Sequence, residues 1–128
     1  MNTIERSPLR RWQDHLRAGE LAYQFSPDAG RAVFYPRLAC PFGGIAPLEW
    51  RISGGLGTVY SISCVHPAKG DPYPVALIDL DEGFRMMSTV EGASGDPAEI
   101  GRRVRVTFRP AESADDLPLP VFVWEGMQ

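Results

Sequence analysis

Lysine is almost missing from this chain of 128 residues. Of its 13 basic residues, 12 are arginine and only Lys69 is lysine. Arginine makes planar, two-pronged contacts with phosphates and carboxylates, so the bias is noted, although codon usage explains it as readily as function does. Cysteine is scarce too. Cys40 and Cys64 do not make a secreted disulfide framework, and they read as thiols of a reducing, cytoplasmic compartment. No apolar run approaches the roughly 20 residues of a membrane helix. Met1 to Leu9 lacks the apolar stretch of a signal peptide. Excess positive charge is absent as well. The formal net charge is −3 and the pI about 5.3, which speaks against bulk binding of nucleic acid through phosphates.

What is present suits one small β domain. The apolar share is 44%, enough for a buried core. Gly 13 and Pro 12 make up nearly a fifth of the chain, high for a helical bundle and natural in a turn-rich β protein.

Ser7-Pro8 reads as a helix cap followed by proline in the first turn. Leu9, Trp12 and Leu16 then make one apolar stripe, and Gly19 stops the helix. So short a helix must dock on something. Glu20 to Phe25 fits a second short helix or a strand. From Ser26 to Pro47, proline and glycine recur every few residues and leave room only for short strands such as Ala32 to Pro36.

The pattern changes after Leu48. Strands are read at Leu48 to Ser53, Thr58 to His66, Val75 to Leu80, Phe84 to Val90, Arg103 to Arg109 and, as a last edge strand, Leu119 to Trp124. Asp81-Glu82-Gly83 marks a hairpin. Asp96 and Pro97 mark one helical turn in the loop that follows Gly92. Val104, Val106 and Phe108 alternate with Arg103, Arg105, Thr107 and Arg109, which sets an inner and an outer face. The glycines around Leu56 suit an OB barrel whose first strand curls through a bulge. A β-sandwich is the alternative, but it asks for about seven strands.

An ordered set of motifs carries a family resemblance. It runs Tyr35-Pro36-Arg37, Cys40-Pro41, Ser53-Gly54, Gly57-Thr58-Val59-Tyr60-Ser61, Val65-His66, Pro72 through Gly83, Ile100-Gly101 and Val104 through Phe108. From about Leu9 to Phe122 the chain resembles the "domain of unknown function 35" family, DUF35. The resemblance implies an N-terminal helix, a rubredoxin-like zinc ribbon and a C-terminal OB-fold. It also implies a non-catalytic role beside acyl-CoA enzymes, thiolase-like condensing enzymes foremost, with hydratases and aldolases also represented.

The chain departs from that pattern where the family is most chemical. Ser26, Ala29 and Gly43 stand at three of the four ribbon cysteine positions, and only Cys40 remains. One thiolate cannot supply the four ligands of a structural zinc site, so no zinc and no covalently bound cofactor is expected. Phe25, Val33, Phe34, Tyr35 and Phe42 would hold the loop by packing instead. The expected fold is therefore mostly β: a helical segment over 1–22, a metal-free knuckle over 23–47, and a five- to six-stranded OB barrel over 48–128.

Other clusters are weighed against plain structural roles. Cys64 and His66 sit two apart, about 6–7 Å at Cα on a strand, yet no elbow or oxyanion motif supports a nucleophile there. Asp79, Asp81 and Glu82 read as a solvated turn. Gly54 to Gly57 lacks the lysine and helix of a phosphate loop. Arg102, Arg103, Arg105 and Arg109 form a basic row. An OB module binding single-stranded nucleic acid would use such a row together with interleaved aromatics, which are missing. Residues 1–37 carry a net +2 within an acidic chain. Arg10, Arg11, Trp12, Arg17, Tyr35 and Arg37 are therefore the candidate surface for CoA phosphates or for a partner. The function expected is an accessory subunit of a thiolase-like or other acyl-CoA enzyme, with a CoA thioester as candidate ligand and no membrane partner.

Overall fold

A computed structural model of the chain describes residues 7–34, 37, 47–111, 113 and 116–125. Helix α1 spans Pro8–Arg17. The Ser7 hydroxyl accepts the Arg10 N–H at 3.2 Å, so the cap forms where the sequence placed it. Leu16 is buried and Trp12 half-buried, while Leu9 is 54% exposed. The apolar stripe thus docks through its C-terminal half alone.

The ambiguous segment after the helix is a strand, β1 (Ala22–Ser26). It pairs antiparallel with β2 (Arg31–Val33) on one side and with β3 (Glu49–Ile52) on the other. This corrects the expectation for Leu48 to Ser53. That strand forms, but it completes a three-stranded sheet, order β2-β1-β3, and does not join the barrel. The strand read at Ala32 to Pro36 is described only as β2; Tyr35 and Pro36 lie outside the described residues.

The barrel is built from β4 (Leu56–Val65), β5 (Tyr73–Leu80), β6 (Arg85–Ser88), β7 (Val90–Glu91), β8 (Arg103–Arg109) and β9 (Leu119–Trp124), in the order β6-β5-β4-β8-β9-β7. The two outer strands, β6 and β7, are separated in the chain by Thr89 alone. One continuous stretch therefore pairs with β5 at one end and, in parallel, with β9 at the other. This brings the two edges of the sheet together. It also corrects the expectation that Leu119 to Trp124 is an edge strand, because β9 lies between β8 and β7.

The register of β4 against β5 slips between Val59 and Ser61, which makes Tyr60 a bulge that bends the first strand. The glycines before it are needed for close approach. A Cβ on Gly55, at φ +80, would stand 2.4 Å from Val106 Cγ1, and one on Gly57 would stand 2.6 Å from the Asp79 carbonyl oxygen. The expected helical turn forms as a 3-10 turn at Pro97–Glu99 with a reciprocal cap between Asp96 and Glu99.

One core serves both parts. Val59, Ile78, Leu80, Val90, Val104 and Phe122 fill the barrel, and Leu21 and Tyr23 of the N-terminal part belong to the same cluster. Phe84 sits at the junction. Its ring stacks on Tyr23 at 4.9 Å and on Phe34 at 4.7 Å, and Phe34 meets Trp12 edge-on at 6.0 Å. The Trp12 indole N–H donates to the Ala22 carbonyl at 3.1 Å, which pegs the helix to β1.

Candidate functional site

An apolar hollow lies on the seam between the N-terminal part and the barrel. It is a groove of about 380 Å³. Trp12 and Phe34 wall one side, Leu119 and Pro120 another, and the buried Met86 and Val121 lie at its base. Met87 and Tyr73 stand at its rim, 61% and 49% exposed. Neither Met nor Leu periodicity in the sequence pointed here. The groove needs β5, β6, β9 and the helix together, and no local pattern encodes that meeting.

Of the six residues predicted for a CoA or partner surface, five are described, and of these five Trp12 alone lines this groove. Successive helical residues are turned by about 100°, and Arg11 accordingly reaches away from Trp12 to lie over the Trp50 ring at 5.5 Å. His15 packs against the same indole at 5.6 Å. Arg10 is exposed, and Arg17 pairs with Asp14 at 3.4 Å. Arg37 is exposed, but its backbone is fixed. The side chain of Gln24, 4% exposed, accepts the Arg37 N–H at 2.7 Å and donates to its carbonyl at 2.8 Å. Tyr35 lies outside the described residues. The helix therefore divides the predicted set between faces instead of gathering it.

The arginine row of β8 is charge-balanced. Arg103 makes a two-pronged bond to Asp81, with both contacts at 2.7 Å. Arg105 pairs with Glu125 and Arg109 with Glu91. Arg102 lies over the Trp124 ring at 4.0 Å. Hydrogen bonding to Arg103 holds the Asp81 carboxyl below its ordinary value, and Arg103 is raised in return. Phosphates would have to displace these carboxylates, which weakens the nucleic-acid reading.

The acidic cluster is committed in the same way. Asp79 pairs with Arg85, whose guanidinium also stacks on the bulged Tyr60 at 3.5 Å. Glu82 accepts from the Ser53 hydroxyl and the Gly54 N–H, both at 2.8 Å, and so clasps the glycine bend. Cys64 is half-buried under Gly95, while His66 is exposed beyond the end of β4.

The zinc that the family resemblance implies does not fit the described ribbon positions. Ser26 is fully buried, and its hydroxyl accepts the Ala29 N–H at 3.1 Å. The Gly30 N–H reaches the Ser26 carbonyl at 2.7 Å. A hydrogen-bonded turn thus stands where two thiolates would hold a metal. Among the described residues no group of three or more His, Cys, Asp or Glu is placed to hold an ion. Cys40, Phe42 and Gly43 lie outside those residues. Phe25, Val33 and Phe34 do pack inward as expected.

A helix and a small sheet seated on an OB barrel, with an apolar groove at the seam and paired charges outside, define an OB-fold module. The family model of the ChsH2 C-terminal OB-fold domain matches residues 50–109. A solved structure described as an Ltp2-ChsH2(DUF35) aldolase superposes with a TM-score of 0.75 at 30% identity, over 97% of this chain and 98% of that one. The chain belongs to the DUF35 family. A DUF35 domain-containing scaffold protein of Methanothermobacter thermautotrophicus is 32% identical over 87 residues, 60% of this chain and 63% of that protein. A probable enoyl-CoA hydratase alpha subunit of Thermomonospora curvata is 36% identical over 91 residues, 68% of this chain and 28% of that protein. The chain therefore spans little more than a quarter of that hydratase subunit's length and under two thirds of the scaffold protein's.

Proposed function

We propose that this chain is an acyl-CoA-associated accessory subunit, which bridges or positions an acyl-CoA enzyme without carrying out the chemistry. The observation that carries this reading is the similarity, over nearly the whole chain, to the structure described as an Ltp2-ChsH2(DUF35) aldolase. The similarity to a hydratase subunit and to a scaffold protein points the same way. The commitment of Asp79, Asp81 and Glu82 to structural contacts supports a non-catalytic role.

In this reading the partner is a thiolase-like or condensing enzyme, or another acyl-CoA enzyme, and the setting is the cytoplasm. Among the described residues no helix is long and apolar enough to cross a membrane. The exposed side chain of Arg37, on a backbone pinned by Gln24, is the arginine best placed to meet CoA phosphates without cost to the fold.

Affinity capture of the tagged chain, followed by mass spectrometry, tests the reading. The expected companion is an acyl-CoA hydratase, aldolase or thiolase-like subunit. A solitary chain carrying bound oligonucleotide would overturn it. Arg37→Ala should weaken CoA-thioester binding by the captured complex and leave its melting temperature unchanged. An unaltered titration curve would remove Arg37 from the surface.

A further inference from the structure

The three-stranded sheet has an open edge at β3. The Ser53 N–H donates to the Leu21 carbonyl at 2.8 Å, so these two residues face each other as a hydrogen-bonded pair. Bonding alternates along an antiparallel ladder. Arg51 and Glu49, opposite Tyr23 and Phe25, therefore also turn their backbone groups toward β1. Trp50 and Ile52 turn theirs the other way, and among the described residues no strand lies there to meet them. Proteins blunt such edges with charge, a bulge or a covering element. Here β3 keeps its register, and its charges are Glu49 and Arg51, one of each sign and both exposed.

Those two charges select what can pair. An antiparallel strand must set its own outward-turned backbone groups against Trp50 and Ile52, so a copy of β3 slides along this edge only in discrete steps. In one register Trp50 faces the partner's Trp50, and Glu49 faces the partner's Arg51 at two symmetric places. One step to either side sets Glu49 against the partner's Glu49, or Arg51 against the partner's Arg51. Unlike charges directly opposite stabilise a strand pair and like charges destabilise it. The edge thus accepts a second copy of itself in a single register.

We propose that β3 pairs antiparallel with β3 of a second copy of this chain, about a two-fold axis at Trp50, and so joins two small sheets into one. The interface is isologous. The two Trp50 residues exchange backbone bonds, and Ile52 exchanges them with the partner's Leu48. Glu49 and the partner's Arg51 stand at the closer of the two antiparallel spacings. Glu49 and Arg51 already meet within the chain at 3.1 Å, so the four side chains close an alternating ring of charge. The edge is held in place beforehand. Arg11 and His15 of helix α1 pack on the Trp50 ring, and Arg51 lies over Phe25 at 3.7 Å. The dimer is independent of the acyl-CoA reading.

Sedimentation velocity of the full chain, from low to high micromolar concentration, tests it. The parent should pass from monomer to dimer. Arg51→Glu sets carboxylates opposite each other, and Glu49→Arg does the same with guanidinium groups. Each variant alone should dimerise at least about tenfold more weakly than the parent. Mixed in equal amounts, the two variants should associate with each other, because every carboxylate then faces a guanidinium. A pair within one chain cannot produce that rescue, since each variant lacks its internal partner. Ile52→Pro removes an outward N–H, a change that an edge strand tolerates. It should abolish the dimer and leave the melting temperature of the dilute chain unchanged.

A parent that stays monomeric over the whole range would overturn the proposal. So would a dimer that both single reversals leave intact, or a mixture of the two that fails to associate. A dimer that survives Ile52→Pro would place the contact elsewhere on the molecule and end the proposal.

Discussion

The barrel and the N-terminal part are held by different means. The barrel ties its edges together through the single stretch of β6 and β7, and buries Val59, Ile78, Val90, Val104 and Phe122 almost completely. The N-terminal part is one helix and three short strands, too little to enclose a core of its own. It borrows from the barrel. Leu21 and Tyr23 join the barrel's cluster, and Trp12, Phe34, Phe84 and Tyr23 form an aromatic chain across the junction. Where its relatives by resemblance would use four thiolates, this part uses the Ser26 hydroxyl, the Gln24 amide and that aromatic chain.

The most severe way to break this comparison is to remove the shared ring. Phe84→Ala should cost about 3–5 kcal/mol and should loosen both parts at once. Urea unfolding with near- and far-UV detection reads it, and loss of the helix alone would mean that the junction is not common to both. Gly57→Ala acts only within the barrel. Its Cβ would press on the Asp79 carbonyl of β5, at a cost of about 1–3 kcal/mol, read as a lower denaturation midpoint. Ser26→Ala acts only in the knuckle. It takes away the acceptor of the Ala29 N–H in a buried turn, a loss of about 0.5–2 kcal/mol. Hydrogen exchange should quicken at Ala29 and stay unchanged in β8.

The smallest effect belongs to the outer charges. The Asp81 carboxyl is held below its ordinary value by the Arg103 hydrogen bond, so it adds stability above the ordinary carboxylate range. That stability is lost as pH falls through its own lowered value. Arg103 stays charged throughout. Both groups are exposed, so the contribution is small and fades with salt. Melting of Asp81→Asn against the parent should differ near neutral pH in low salt and converge in acid.

The barrel was largely legible in the sequence because its signals are local. Strict alternation placed β8 at Arg103 to Arg109 and the apolar run placed β9 at Leu119 to Trp124, both to the residue. Ser7-Pro8 and Asp96-Pro97 announced their caps. What stayed hidden depends on distant partners. Glu49–Ile52 reads as a strand from its own residues, but its choice of β1 over the barrel is set by which neighbour has a free edge. The same limit applies to Phe84, an ordinary strand residue until two rings from the N-terminal part stack on it. The ion pairs of the arginine row were not legible either, because Asp81, Glu91 and Glu125 are far from their arginines in sequence. The groove, shared by the helix and three strands, left no local trace.

The central claim is that the N-terminal part stands by packing and hydrogen bonds where its family resemblance implies zinc. Elemental analysis of the purified chain, paired with thermal melting before and after chelation, tests it most directly. The account predicts zinc far below one atom per chain and a melting temperature that chelator leaves unchanged. One zinc per chain, with a melting temperature that drops when the metal is stripped, would contradict it.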